Sequence, residues 1–285
     1  METNPNETIT VQTNPVFDNI STYISYVMEL RFNIIKQQLE YRYIDNENFE
    51  SFTDRVENSL YIEMKSANSF KFSKSDFDVY LNSEQIPYYN PYKDYFDSLP
   101  EWDGTDYIKK LSEYIRVEES KGYCFFVQLK KWLVRAVKCA LEPNYFNKQI
   151  LVFVGAEQNT GKTTFCRWLC PLFLKDYYTE ETAQGKDEYM QLASNFIVLY
   201  DELVKLNKAG LEDIKAILSK NLVKYRPPYA KREQIFARTC SFIGNTNQTQ
   251  FLTDETGSIR FLSFLLKGID FNYSKDIDIN KIYAQ

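Results

Sequence analysis

The sequence predicts an α/β protein in which a parallel or mostly parallel sheet carries a glycine-punctuated loop between a strand and a helix, preceded by a mostly helical N-terminal region. Three observations lead there. Residues 148–165 read KQILVFVGAEQNTGKTTF. The run Ile150 to Val154 has the unbroken apolar character of a strand buried on both faces, and the segment Thr163 to Cys170, stopped by Pro171, suits a helix. Downstream, apolar runs at Phe196–Tyr200, Cys240–Gly244 and Phe261–Leu266 alternate with a helical segment at Leu211–Leu218, the pattern from which parallel sheets are built. Upstream, apolar residues recur at helical spacing.

Element by element, residues 1–16 are rich in Asn, Thr and Pro, hold too little apolar surface to order themselves, and read as a disordered tail. From Phe17 the positions Ile24, Val27, Met28, Leu30, Ile34, Ile35 and Leu39 suit a helix of several turns. Breaker-rich connectors at Tyr88-Tyr89-Asn90-Pro91-Tyr92 and Leu99-Pro100-Glu101-Trp102-Asp103-Gly104 lead into helices over Asp106–Ile115 and Phe125–Leu141. The second carries the stripe Leu129, Trp132, Leu133, Ala136, Val137 and Ala140, and Glu142-Pro143 ends it. The expected organisation is a tail over 1–16, a mostly helical region over 17–145 and a P-loop domain over 146–285.

A loop between a buried strand and a helix N-terminus presents unpaired N–H groups, and phosphate oxygens fit there. The expected cradle is Gly155, Ala156, Glu157, Gln158, Asn159, Thr160, Gly161, Lys162, Thr163 and Thr164. Its backbone N–H groups wrap the β-phosphate, the Lys162 ammonium reaches the β and γ oxygens, and the Thr163 hydroxyl ligates Mg²⁺. In the register GxxxxGK[ST], Ala156 stands at the first glycine position, with Gly155 one residue early. A second buried strand ends in Asp201-Glu202, the shape of a Walker B element. Asp201 is expected to hold Mg²⁺ through water and Glu202 to polarise the attacking water; the plain alternative is a solvated acidic turn.

The third strand runs into Asn245-Thr246-Asn247. An amide at that strand end can hydrogen-bond the γ-phosphate or the lytic water; Asn247 is the first choice and Asn245 the reserve, against an ordinary Asn-rich turn. Arg260, just before an apolar strand, is placed to supply charge to the γ-phosphate in cis or from a neighbouring subunit, against a structural ion pair with Asp254 or Glu255. In Lys220–Arg232, Lys224, Tyr225, Arg226, Tyr229, Lys231 and Arg232 read as a single-strand contact loop, because cations neutralise phosphates and tyrosines stack on bases. The alternative packs the tyrosines on the sheet. Trp168 and Phe242 read as core.

Composition removes whole classes of chemistry. With 285 residues, 44% hydrophobic, the chain can bury a sizeable core, and with His 0 it has no imidazole for a triad or a zinc site. Catalysis is left to carboxylates, Lys, Arg and a metal held by oxygens. The five cysteines lack a Cys-x-x-Cys pair and read as reduced core residues of a cytoplasmic protein, Cys166 and Cys170 packing a helix on the sheet. No stretch approaches the roughly 18 to 20 apolar residues of a membrane span, and no secretory leader is visible. Net charge is −5, but residues 1–100 hold 8 Lys/Arg against 16 Asp/Glu while residues 203–243 hold 9 against 3. That basic segment suggests a local anionic partner.

The run GAEQNTGKTTF, then LYDEL, LVKYRPPYAKRE and FIGNTNQTQFLTDETGSIRF, resembles the virulence-associated protein E family of phages and mobile elements, a branch of the superfamily 3 helicases within the AAA+ ATPases. The upstream YNPYKDYFDSLPEWDGTDYI and LKKWLVRAVKCALEP are similar to that family's helical lead-in, so the resemblance covers about residues 88–285. It implies an ATP- and Mg²⁺-dependent helicase module acting on single-stranded DNA, assembled as a homo-oligomeric ring such as a hexamer, with priming left to a separate primase. Lys162 and Thr163 match the Walker A pair, Asp201 and Glu202 Walker B, Asn247 the sensor, Arg260 the arginine before the aromatic, and Lys224 to Arg232 the pore region. Ala156 and Ile259 depart from the pattern, and relatives continue beyond Gln285, which implies a shortened form. Two other readings compete: a nucleotide-gated regulatory or phage-interference protein, and a small-molecule kinase, which leaves Asn247, Arg260 and the basic loop unexplained.

Overall fold

The computed structural model describes residues 15–67, 69–118, 121–155, 160–180, 185–201, 203, 208–228, 230–247 and 259–285. They form two compact units that divide between Asn90 and Pro91. Among the described residues no helix is long and apolar enough to cross a membrane. All five cysteines are free, and four are buried; Cys124 is exposed, so it does not belong to the core as expected.

The first unit runs α1 (Pro15–Val27), β1 (Met28–Asn33), β2 (Gln38–Tyr43), β3 (Glu50–Ser51), α2 (Asp54–Ala67), α3 (Lys74–Leu81) and β4 (Tyr88–Tyr89). Its strands lie in the order β3-β2-β1-β4, so the region expected to be mostly helical also holds a four-stranded sheet. The expected long helix stops at Val27. Beyond it Met28 and Leu30 are buried and Glu29 is exposed, a period of two rather than 3.6. The Asn33 side-chain oxygen then accepts from the N–H groups of Ile35 and Lys36, both at 3.0 Å, which bends the chain into a turn. Gln37, at φ 53°, completes the reversal, and β1 pairs antiparallel with β2. Pro15 and Val16, expected in the tail, open α1, where a proline loses no helical hydrogen bond. Ile20, Ile24, Met28, Leu60, Met64 and Phe77 share one core.

The second unit contains α4 (Pro91–Asp97), α5 (Tyr107–Tyr114), β5 (Ile115–Val117), α6 (Gly122–Leu141), β6 (Ile150–Val154), α7 (Lys162–Trp168), β7 (Tyr178–Thr179), α8 (Lys186–Ser194), β8 (Ile197–Tyr200), α9 (Lys208–Leu218), β9 (Leu222–Tyr225), β10 (Gln234–Ala237), β11 (Ser241–Thr246), β12 (Phe261–Ile269), α10 (Tyr273–Asp276) and α11 (Ile279–Ala284). Six strands form one sheet in the order β5-β12-β6-β11-β8-β7. The pairs β12–β6, β6–β11, β11–β8 and β8–β7 are parallel, and β5 runs antiparallel at the edge.

The apolar run of β6 is unbroken because both faces are covered. Ile150, Val152 and Val154 join a cluster with Ile214, Leu218 and Val223. On the other face Phe153 meets Phe165 of α7 at 5.5 Å and Phe125 of α6 at 6.3 Å. Each such large side chain contributes roughly 1.5–3 kcal/mol on burial. The stripe of α6 packs on this sheet too: the Trp132 indole N–H donates to the Phe242 carbonyl at 3.1 Å. A helix expected to close the N-terminal region therefore belongs to the sheet, and the boundary falls at 90/91 rather than 145/146. Trp168 is half-buried, stacked beside Phe165.

Candidate phosphate-binding site

The loop after β6 begins with the Gly155 N–H donating to the Thr246 carbonyl at 3.0 Å, which extends the β6–β11 ladder by one residue. Ala156, Glu157, Gln158 and Asn159 lie outside the described residues. Gly161 caps α7 with φ 81°, the left-handed region open to glycine, and the Phe271 ring fills the space a Cβ would take. Lys162 opens the helix and is buried. Its ammonium donates to the Thr160 hydroxyl at 3.0 Å and the Gly155 carbonyl at 3.4 Å. A Cβ at position 155 would stand 3.2 Å from that ammonium, so the glycine one residue early in the motif leaves room for the cation. Burial lowers the Lys162 pKa below its ordinary value, and the Asp201 carboxylate pulls it back up.

Strand order brings the remaining groups together. Because β11 lies between β6 and β8, its end sits beside both the loop and Asp201. The Thr163 hydroxyl donates to Asp201 at 3.5 Å, and the Asn245 amide donates to Thr163 Oγ1 at 3.2 Å and to Asp201 Oδ1 at 3.4 Å. The Cys166 thiol donates to Asn245 Oδ1 at 3.4 Å, so this cysteine, expected only to pack, also faces the amide. Burial pushes the Cys166 thiol well above its ordinary value and keeps it protonated as that donor. Asn245, the reserve, thus holds the tie between Thr163 and Asp201; Asn247 is exposed at the rim on the same face, two residues on.

A cavity of about 500 Å³ opens over these groups, lined by Thr160, Lys162, Thr163, Thr164, Asp201, Asn245, Asn247 and Phe271. Its size suits a small ligand. The donor set suits a magnesium nucleotide: a lysine and a helix N-terminus for phosphate, and two hard oxygens, Thr163 and Asp201, for the metal. Among the described residues there is no group of three or more His, Cys, Asp or Glu that could hold a metal by itself.

Other expected residues do not converge here. The Ile150 N–H donates to the Arg260 carbonyl at 2.8 Å, so Arg260 is level with the start of β6. Five strand residues at about 3.3 Å each put it roughly 17 Å from the loop, which rules out the expected action in cis. Glu202 and Tyr229 lie outside the described residues. In the basic segment Tyr225 is buried, its ring 4.5 Å from that of Phe236, and burial lifts its hydroxyl to about 12. It packs on the sheet instead of presenting a face to bases. The alternation Leu222 out, Val223 in, Lys224 out, Tyr225 in was the signal for this. Lys224 pairs with Glu233 at 3.1 Å, while Arg226, Lys231 and Arg232 are exposed. Phe271 carried no sequence signal, because it reaches the loop from more than a hundred residues downstream.

Residues 96–285 match the virulence-associated protein E-like domain. No curated protein sequence matches the chain. Two solved structures with a similar fold are apo forms of the NrS-1 C-terminal region. One aligns with a TM-score of 0.58 at 12% identity over 95% of this chain and 72% of the other. The second gives 0.56 at 12% identity over 93% and 67%. At that identity the likeness is one of fold.

Proposed function

The chain belongs to the virulence-associated protein E-like family, and on that premise we propose that it is an ATP-dependent DNA helicase or translocase serving replication of a phage or mobile element. The observation that carries this reading is the convergence of Lys162, Thr163, Asp201 and Asn245 on one cavity at the end of a P-loop strand. Lys162 binds the β and γ oxygens, its charge the more effective for being partly withdrawn from water. Thr163 and Asp201 hold Mg²⁺, which draws charge off the transferring phosphoryl group when bound. Glu202 orients the attacking water, Asn247 contacts the γ-phosphate at the rim, and Asn245 holds Thr163 and Asp201 in register. Arg260 serves the site of a neighbouring copy in a ring, since its own site is out of reach. Arg226, Lys231 and Arg232 grip the phosphates of single-stranded DNA.

Steady-state hydrolysis of ATP with Mg²⁺, with and without single-stranded DNA, tests the proposal. Turnover should rise with DNA and fall by about a hundred-fold or more in Lys162→Ala, the scale of losing one charged group at a transition state. The burial of Tyr225 favours a second reading, a nucleotide-gated switch without motor activity, because it removes an expected DNA contact. Tight ATP binding with slow turnover indifferent to DNA would select it.

A further inference from the structure

Phe271 stands apart from the groups so far assigned. It is 53% exposed, yet it does not face open solvent as a stray surface aromatic would: it lines the cavity and covers Gly161. Among the described residues that line the cavity it is the one aromatic side chain. The turn that carries it is held firmly. The Asp270 N–H donates to the Tyr114 carbonyl at 2.9 Å, and the Asp270 carboxylate accepts from the Asn272 N–H at 3.0 Å. Two residues on, buried Tyr273 packs edge-on against Phe165 and Trp168 of α7, with ring centroids 5.3 and 4.9 Å away. Tyr273 therefore ties the turn to the P-loop helix, leaving the phenyl ring of Phe271 projecting beside the loop with half its surface uncovered. An apolar face held over a polar phosphate pocket is a place for the part of a nucleotide that is flat and uncharged.

Resting on the phosphate-site reading above, we propose that Phe271 stacks on the base of the bound nucleotide and sets its preference. A stack reads aromatic area rather than edge hydrogen bonds. The site accordingly takes purine triphosphates ahead of pyrimidine ones and treats adenine and guanine alike. Binding of ATP, GTP, CTP and inorganic tripolyphosphate to the full chain with Mg²⁺, by calorimetry, tests this against the alternative that the ring only buttresses Gly161. Phe271→Ala should weaken ATP and GTP by roughly ten-fold, the size of one base–aromatic stack, bring them level with CTP, and leave tripolyphosphate within about two-fold. Phe271→Trp should keep ATP affinity and gain a fluorescence signal, relative to wild type, that ATP quenches and tripolyphosphate does not. Equal losses of ATP and tripolyphosphate in Phe271→Ala, or no loss of either, overturn the proposal while the phosphate site stands. A wild type that binds neither ligand overturns the phosphate-site reading, and the stack with it.

Discussion

At the carboxyl edge of the six-stranded sheet, Thr163, Asp201 and Asn245 come from three distant segments and stand within 3.5 Å of their hydrogen-bonding partners. Along the β9–β10 hairpin the opposite happens. Lys224, Tyr225 and Arg226 are consecutive, yet Tyr225 is buried while Arg226 and Lys224, the latter paired with Glu233, are exposed. The difference teaches where a functional cluster can form. Parallel strands deliver their ends to one edge, so residues far apart in sequence share a cavity. A single strand turns alternate side chains to opposite faces, so a run of suitable residues cannot all meet one ligand.

Six single substitutions would break or sharpen that contrast. Tyr225→Ala should give the largest effect, a loss of about 3 kcal/mol in unfolding free energy by denaturant titration, the scale of removing a large aromatic from a core. Unchanged stability with weakened DNA binding would return Tyr225 to the contact surface and erase the contrast. Asn245→Ala comes next. It removes the amide that bridges Thr163 and Asp201, and turnover should drop by about ten-fold, corresponding to 1–2 kcal/mol for hydrogen bonds to a charged group. Asn247→Ala should cost less; the reverse order would make the rim amide the more important one. Arg226→Ala, Lys231→Ala and Arg232→Ala should each leave the melting temperature unchanged. Each should lower the slope of log affinity for single-stranded DNA against log salt by about 0.7, so a slope that did not move would detach the hairpin from DNA.

The sheet edge and the first unit also differ in how legible they are from residue order. Strand β6, the loop after it, helix α7 and Asp201 at the end of β8 could be read from residue order, because an unbroken apolar run, a glycine before a lysine and acids closing a strand are local signals. The hairpin of β1 and β2 was not read. Ile24, Val27, Met28, Ile35 and Leu39 fall at helical spacing, and what outweighs it is an Asn33 side chain bonded to the N–H groups of Ile35 and Lys36, a matter of conformation.

By itself the sequence determined the chemistry available: a chain without histidine, with Lys162 following a glycine at a helix N-terminus and hydroxyl, carboxylate and amide groups at strand ends. Only the tertiary structure decided which of these meet. The order β12-β6-β11-β8 inserts the last-made strand but one between the first and the acidic one. That insertion puts Asn245 against Thr163 and Asp201, and leaves Arg260 at the far end of the sheet. The turn after β12 brings Phe271 back over Gly161. Strand order and the return of distant turns arise from the burial of both sheet faces at once, a property of the whole core that no local run of residues encodes.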